Sequence, residues 1–183
     1  MMKKLVIAAV TLGFAFGAHA SDGEGFRLGF KDLRSDLELE GGNVVDTTYK
    51  ADLSGIELGY DFNKIAGASI SYAKGNGDLG DYKDFRISGE FGYDFNVIPE
   101  YLRLKPYGSL GYEKADISGP VNSLTQTHLD VSMSGLSIGV GVRATIMKYG
   151  YMALETTAMA SNDYGLDSTL VNSSVTVGGK YAF

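Results

Sequence analysis

The chain has 183 residues, with 16 basic and 22 acidic side chains, a formal net charge of −6 and no cysteine. The acidic balance argues against nucleic acid as a partner, because binding phosphate requires clustered lysine and arginine. The absence of cysteine excludes disulfides and attachment of a lipid through a thiol. Glycine is abundant at 25 residues, proline is scarce at 3, and tyrosine and phenylalanine together number 21.

The first twenty residues predict a secretory signal peptide. Two lysines at positions 3 and 4 precede an apolar run over 5–16, and the small residues Ala18 and Ala20 form an A-x-A cleavage site. The run is shorter than the roughly 20 apolar residues that a membrane-spanning helix needs. Cleavage after Ala20 leaves residues 21–183 as one domain with 14 basic and 22 acidic side chains, a net charge of −8.

The rest of the chain divides into short segments in which apolar and polar residues alternate, the period of a β-strand. In chain order these eight segments cover about 25–33, 51–62, 66–74, 85–95, 104–114, 135–147, 151–160 and 170–183. In the fourth, Phe85, Ile87 and Phe91 alternate with Arg86 and Glu90. Segments of about ten residues are long enough to cross a membrane at a tilt. The pattern predicts an all-β fold, an eight-stranded antiparallel up-and-down transmembrane β-barrel.

The links between the segments alternate in length. Polar stretches at 34–50, 75–82, 115–132 and 161–169 predict four surface loops at one rim, whereas 63–65 and 148–150 predict tight turns at the other. The remaining link, 96–103, is longer and contains Pro99. Long loops at one rim and short turns at the other are typical of outer-membrane barrels.

A five-residue repeat and the C-terminus support the same architecture. The sequence Gly-Tyr-Asp-Phe-Asn occurs at 59–63 and again at 92–96, which predicts an aromatic girdle at one rim. We expect Tyr112, Tyr181 and Phe183 to join this girdle. Together with Val177, the last two also form a terminal amphipathic strand that ends on an aromatic residue.

These features resemble the small eight-stranded outer-membrane proteins of the OmpA/OmpX type and the opacity-protein-like barrels. The resemblance covers essentially the whole chain after the signal peptide. It implies a monomer in the bacterial outer membrane that contacts lipid and lipopolysaccharide. It also implies that the barrel-assembly machinery recognises the signature formed by Val177, Tyr181 and Phe183.

The largest polar group of side chains is predicted to face the barrel interior. On the strand phasing it comprises five basic and four acidic residues: Arg27, Arg86, Lys105, Arg143, Lys180, Glu57, Glu90, Glu113 and Glu155. Charges confined in such an interior must pair, because isolated buried charges are costly. The expected result is a salt-bridged plug that fixes the barrel, and the alternative is a gated pathway for ions or small solutes.

Catalysis and metal binding have weak support in the sequence. Some barrels of this size resemble lipid A deacylases or acyltransferases, but here Leu129 and Asp130 follow His128, so the His-x-Ser pattern of the deacylases is absent. Serines at 132 and 134 are close in sequence to this histidine. The glycine-rich stretch 76–81 offers oxygen ligands but lacks the spacing of a calcium loop. We expect no enzyme activity, no cofactor and no metal.

The predicted loops are acidic. The carboxylates concerned are Asp36, Glu38, Glu40, Asp46, Asp78, Asp81, Asp84, Asp163 and Asp167. They form either a solvated rim or a surface that meets lipopolysaccharide phosphates through divalent cations, or a host or phage ligand. We therefore expect a structural or envelope role, or adhesion and recognition through the loops. A narrow channel or conduit for small hydrophobic molecules and a lipid A-modifying enzyme are the alternatives, and the alternative fold is a soluble periplasmic barrel with an apolar interior.

Overall fold

A computed structural model of the protein describes residues 24–40, 47–122, 127–147, 149–163 and 166–181. All of its regular structure in these ranges is β-strand. The strands are β1 (Gly25–Glu40), β2 (Thr47–Asp61), β3 (Ala66–Gly77), β4 (Gly80–Gly92), β5 (Phe95–Ile98), β6 (Leu102–Asn122), β7 (Thr127–Ile146), β8 (Gly150–Asp163) and β9 (Leu166–Tyr181). No helix in the described ranges has the length and apolar character needed to cross a membrane.

The strands form one closed antiparallel sheet. Apart from β4 and β5, which both pair with β6, each strand pairs with its neighbours in the chain, and β1 pairs with β9 to close the barrel. The short β5 continues β4, because both pair with β6 in one register, Gly92 opposite Tyr107 and Phe95 opposite Leu104. With β4 and β5 counted together, the nine segments therefore form eight strands around the barrel, which we call staves. The predicted eight-stranded antiparallel barrel is confirmed.

The register around the barrel sets its width. Starting at Phe26 and following paired residues through Tyr60, Ala68, Gly89, Leu110, Ile138, Ala158 and Val171, the path returns to β1 at Asp36, ten residues further along. Strand number and this stagger together fix the diameter of a barrel. Eight strands give an interior that side chains can fill, rather than an open channel.

The prediction of four surface loops is wrong for most of their residues, which belong to strands instead. β1 continues to Glu40 and β2 begins at Thr47, within the stretch predicted as the first loop, and β3 and β4 are joined by a turn of only Asp78 and Leu79. Strands β6 to β9 also run far into the predicted third and fourth loops. At the other rim the link predicted at 96–103 shrinks to a turn at 99–101, because β5 and β6 extend towards each other.

The outward-facing side chains change character along six of the strands. From the rim that carries the turns at 62–65 and 99–101, hereafter the lower rim, the outward side chains are apolar, and further up they become polar. The change occurs between these pairs of successive outward residues: Phe30 and Asp32, Ile56 and Ser54, Tyr72 and Lys74, Phe85 and Lys83, Tyr112 and Lys114, Leu136 and Ser134. We call this level the crossover line, and it divides the barrel into a lower half and an upper half.

The inward-facing side chains change in the opposite sense at the same level. In the lower half the buried residues are charged or hydroxyl-bearing, such as Lys31, Glu57 and Arg86. In the upper half they form an apolar cluster of Leu33, Leu37, Ala51, Leu53, Ala73, Tyr82, Ala115, Ile117, Met133, Met159 and Leu170. The prediction of a polar interior thus holds for the lower half only. The upper half has the polarity of a water-soluble barrel.

Aromatic side chains lie at both ends of the apolar outer band. Near the lower rim the rings of Phe26 and Tyr60 lie 4.7 Å apart, and those of Tyr93 and Phe95 lie 4.9 Å apart, in edge-to-face geometry. Tyr112, predicted for this girdle, instead lies just below the crossover line, because its strand begins at Leu102 and has risen ten residues by that point. Two aromatic belts therefore bound the band, as at the two interfaces of a membrane.

Candidate functional site: the charged barrel interior

All nine charged residues predicted to face inward are buried in the lower half. Three further buried charges, Lys31, Asp61 and Asp84, accompany them, so the described interior holds six cations and six carboxyl groups. Lys31 and Asp61 both face inward between exposed neighbours, and neither belongs to the predicted set of nine. Asp84, predicted as a loop carboxylate, lies inside because β4 already starts at Gly80.

The lower part of this interior is organised around Asp61. Its carboxylate oxygens lie 2.8 Å from Lys180 Nζ, 3.3 Å from an Arg143 nitrogen and 3.4 Å from Arg27 Nε. Arg27 and Arg143 also both donate to Glu90, and the Arg27 bond is 2.9 Å long. Lys105 Nζ lies 3.8 Å from the Asp61 carboxylate, so this repeat aspartate contacts four cations from four separate strands.

A second cluster lies above the first. Arg86 contacts Glu155 at 3.0 Å and donates to the hydroxyls of Ser137 and Ser109 at 3.1 and 2.9 Å. The Ser109 hydroxyl in turn donates to Glu155 at 2.7 Å. Every one of these side chains is buried, and their hydrogen bonds compensate for the cost of removing the charges from water.

Lys31 lies between the two clusters. Its Nζ is 3.9 Å from a Glu57 oxygen, in the lower cluster, and 3.9 Å from a Glu155 oxygen, in the upper one. These distances are ion-pair contacts rather than hydrogen bonds. The two clusters are therefore joined by one loosely held ammonium group.

Tyrosine rings and glycines complete the filling of the interior. The Arg143 guanidinium lies 4.9 Å from the centre of the Tyr107 ring and that of Arg27 lies 5.8 Å from the Tyr151 ring. Space for the first ring comes from β7, where a Cβ on Gly141 would lie 2.6 Å from Tyr107 Cζ. The glycine at this position of β7 therefore makes room for a large neighbour, as small inward residues do in small barrels.

The interior of the upper half is mainly apolar, with a few buried serines such as Ser35 between its apolar side chains. Met159 and Leu170 are essentially inaccessible to solvent and pack in the same cluster as Tyr82. Burial raises the pKa of Tyr82 to about 12, so its hydroxyl stays protonated at neutral pH. The upper half thus has its own hydrophobic core, stacked on the charged one.

The glycine-rich stretch at 76–81 forms a hairpin turn. Asn76 Nδ2 donates to Asp81 Oδ1 at 2.6 Å, and the backbone N–H of Lys50 donates to Asp78 Oδ2 at 2.9 Å. Asp81 thus accepts a hydrogen bond from within the turn and Asp78 accepts one from the neighbouring strand β2. Within the described ranges, no group of three acidic, histidine or cysteine side chains has the geometry to hold a metal ion.

The residues considered for acyl transfer lie along β7. The backbone of His128 pairs with Pro120, and Asp130, Ser132 and Ser134 follow at every second position, exposed on the outer face. The side chain of His128 lies outside the described set. Among the predicted loop acids, Asp36 and Glu38 lie on β1 and Asp81 on β4, whereas nothing further is described for Asp46 or for the side chains of Glu40, Asp163 and Asp167.

The terminal signature is described in part. Val177 pairs with Phe30 and Met152, and Tyr181 pairs with Phe26 at the lower rim. Phe183 and the cleavage-site residues Ala18 and Ala20 lie outside the described residues. The predicted signal peptide and the role of the terminal phenylalanine stay predictions.

A closed antiparallel barrel with an apolar outer band, aromatic belts at both edges and a charged interior defines the class of transmembrane β-barrels. The sequence from residue 6 to 183 matches the family model described as "Outer membrane protein beta-barrel domain". The chain belongs to this family, and its location is the bacterial outer membrane. The expected resemblance is confirmed. The turns of the lower rim follow the apolar band directly, whereas at the other end the strands extend well beyond the band into long hairpins with a polar outer surface. Long hairpins outside the cell and short connections in the periplasm are the arrangement of outer-membrane barrels, which makes the lower rim the periplasmic one.

Solved structures of other outer-membrane proteins share the fold. The Ail protein of Yersinia pestis, named for attachment and invasion, superposes with a TM-score of 0.54 at 16% identity, over 87% of this chain and 99% of that chain. The N-terminal barrel of Pseudomonas aeruginosa OprF gives 0.51 at 14%, over 80% and 96%. Neisserial surface protein A gives 0.50 at 16%, over 87% and 99%. A comparison with curated proteins finds no match.

Proposed function

We propose that this protein is a non-enzymatic, closed outer-membrane barrel with a structural role in the envelope and a surface for interaction outside the cell. The observation that supports a closed barrel most directly is the interior of six cations and six carboxyl groups. An eight-stranded barrel is only wide enough for side chains to fill. Each guanidinium in this interior contacts at least one carboxylate, so opening a path would require several buried ion pairs to break together.

The surface role is supported by the extracellular extension of the strands. The upper half presents polar side chains to water on a rigid hydrophobic core, a scaffold of the kind on which binding surfaces are built. The names of the similar Ail and neisserial surface proteins fit a role at the cell surface. Lipid and lipopolysaccharide around the apolar band, and the barrel-assembly machinery at Val177, Tyr181 and Phe183, are the proposed partners. The outer acidic residues would meet lipopolysaccharide phosphates through divalent cations.

The absence of enzyme activity is part of the proposal. Acyl transfer requires a nucleophile in contact with a base and a third group that orients the base. Ser132 and Ser134 point outward at successive outward positions of β7, and successive side chains on one strand face are about 7 Å apart. This spacing favours a solvent-exposed polar face over a catalytic triad.

The direct test is conductance of the full barrel in planar lipid bilayers, together with efflux of a small solute from liposomes. We expect the wild-type protein and the Asp52→Asn variant, changed on the outer surface, to pass no more solute than protein-free liposomes. Steady conductance by the wild-type protein would contradict the closed barrel.

A gated conduit is the second candidate, and the position of Lys31 favours it. An ammonium group 3.9 Å from carboxylates of two clusters has two alternative partners, so a small movement would change which cluster it belongs to. This candidate predicts that Glu90→Gln, which removes the shared partner of Arg27 and Arg143, raises permeability. If Glu90→Gln leaves it unchanged, the conduit is eliminated.

A further inference from the structure

Three lysines occupy the first outward positions above the crossover line on adjacent staves. They are Lys74 on β3, Lys83 on β4 and Lys114 on β6, all exposed. Lys74 lies directly opposite Lys83 in the β3–β4 ladder. On the next stave Lys83 lies opposite Asp116, two residues along from Lys114. We call these three residues the lysine patch.

Two of the three lysines in the lysine patch have no carboxylate partner among the described residues. Lys114 contacts Asp116 at 3.2 Å, but within the described ranges neither Lys74 nor Lys83 forms an ion pair. A hydrogen bond from Ser132, together with the neighbouring lysines, holds the pKa of Asp116 below its usual value, so this group is fully ionised at neutral pH. Asp81, the next outward residue above Lys83 on β4, accepts a hydrogen bond from Asn76 at 2.6 Å and forms no ion pair with either lysine among the described residues. Lys74 and Lys83 thus lie opposite each other without a carboxylate in contact.

The pairing of Lys74 with Lys83 is itself unfavourable. Like charges directly opposite in an antiparallel pair destabilise a sheet. By contrast, the outward Arg34 on β1, also above the crossover line, forms an ion pair with Asp52 at 3.2 Å. An external anion between the two lysines would turn the repulsion into attraction.

An aromatic ring lies below each lysine. Tyr72, Phe85 and Tyr112 are the last outward residues under the crossover line on the same three staves, and each is about two-fifths exposed, at 44, 38 and 46%. Aromatic rings mark the level of lipid headgroups in membrane proteins. The lysine ammonium groups therefore lie at or just above the headgroup level of the outer leaflet, with apolar surface beneath them.

We propose that the lysine patch binds the phosphate groups of a lipid in the outer leaflet, with the lipid's acyl chains packed against Tyr72, Phe85 and Tyr112. The ligand class is a phosphorylated glycolipid of the lipid A type, because both its phosphates and its chains meet complementary groups. The inference depends on the location in the outer membrane and is independent of whether the barrel conducts.

The test uses the full barrel in nanodiscs of phosphatidylcholine that contain a minor fraction of diphosphorylated lipid A. The lipid A retained per barrel after exchange is measured by mass spectrometry for the wild-type protein and for the triple variant Lys74→Gln/Lys83→Gln/Lys114→Gln. The matched control, Arg34→Gln/Lys50→Gln/Lys64→Gln, removes the same charge away from the patch. Gel mobility before and after heating shows that each variant forms a closed barrel.

We expect the patch variant to retain roughly tenfold less lipid A, since each lysine near an anionic lipid contributes to binding and such contributions add incompletely. The control variant should lose no more than about twofold, through the general field alone. Dephosphorylated lipid A should not be enriched by any of the proteins.

Equal losses in the patch and control variants would overturn the proposal, because they would show a nonspecific effect of net charge. Equal enrichment of dephosphorylated lipid A would also overturn it, because packing of acyl chains alone would then explain retention. Conductance measured on the same nanodisc preparations after transfer to bilayers reports on the closed barrel separately, so either proposal can fail without the other.

Discussion

The two halves of this barrel have one backbone architecture and opposite polarity. Below the crossover line the outer surface is apolar and the interior is charged, while above it the outer surface is polar and the interior is packed with leucine, isoleucine and methionine. An apolar side chain gains little by moving from lipid into the interior, so the lower half can keep its apolar side chains outside. The upper half lies in water, where burying apolar side chains in the interior stabilises the fold. The comparison shows that the surrounding medium, lipid or water, determines which face of a strand is apolar. The backbone hydrogen bonds between strands are the same in both halves.

The change takes place within a continuous strand. On β1 the outward Phe30 is followed by the outward Asp32, and the inward Lys31 by the inward Leu33. The pairing of β1 with β2 runs through this point without a break in register. The inversion therefore needs no bulge or turn, only two consecutive polar residues where the alternation changes phase.

The largest expected effect is in the charged lower half. Asp61→Asn removes the carboxylate that contacts Arg27, Arg143 and Lys180, and leaves buried cations short of a partner. We expect a loss of about 3–5 kcal/mol in the free energy of unfolding, measured by urea unfolding of the barrel in lipid vesicles. The matched change Asp52→Asn, at an exposed pair, should cost less than about 1 kcal/mol. Similar losses for both would show that the interior pairs are no stronger than surface ones.

The position of the crossover line can be tested by a lysine scan on the outer face of β7. Ile138→Lys places an ammonium group in the lipid-facing band and should destabilise the barrel by about 2–4 kcal/mol. Ser134→Lys, four residues further up the same strand, should cost about 1 kcal/mol or less. Equilibrium unfolding in vesicles measures both, and a large cost at residue 134 would move the line upward.

The hydrophobic core of the upper half can be weakened separately. Leu170→Ala creates a cavity among Met133, Met159 and their neighbours, and we expect a cost of about 2 kcal/mol, because flexible methionines can partly fill the space. Limited proteolysis of the barrel in vesicles should then cut the upper hairpins while the heat-dependent gel shift persists. Leu154→Ala on the lipid-facing surface serves as the control and should leave the cleavage pattern unchanged.

The smallest expected effect concerns space inside the lower half. A methyl group on Gly141 would lie 2.6 Å from the Tyr107 ring, so Gly141→Ala forces the ring and Arg143 to shift, at about 1–2 kcal/mol. Gly108, on the outer face of β6, has only an ordinary contact at 3.8 Å for the same methyl. Gly108→Ala should therefore be close to neutral in the same unfolding experiment. A neutral Gly141→Ala would show that the tyrosine has room to move.

The sequence contains enough information for the eight staves and for most of the lower interior. Alternation places Arg27, Arg86 and Glu90 on the inner face of their strands, and the structure has them there. Asp61 belongs to the repeat that predicts an aromatic rim, yet its position in the alternation places it inside. The ion-pair partners could not be predicted, because Arg27 meets Glu90 only through the stagger of strands that are 63 residues apart in the chain.

The strands of the upper half are not predicted from the sequence, for a different reason. Leu33, Ser35 and Leu37 alternate with Arg34 and Asp36 as regularly as any segment below the line. Here the apolar residues face inward and the polar residues face outward, as in a water-soluble barrel. A pattern that looks for apolar residues facing lipid therefore predicts a loop at this segment. The same error produced the loop assignment of Asp84. The alternative of a barrel with an apolar interior, considered for the whole chain, describes this half.

Closure of the sheet has a consequence for how the protein must be made. Phe26 pairs with Tyr181, 155 positions away in the chain, and the ladder between β1 and β9 extends over 15 residue pairs. Contacts of such high sequence separation form slowly, and the edges of β1 and β8 stay unpaired until β9 is in place. A chain waiting for its last strand is thus prone to aggregate, and its yield of folded barrel should depend on the competition between strand closure and edge-to-edge association.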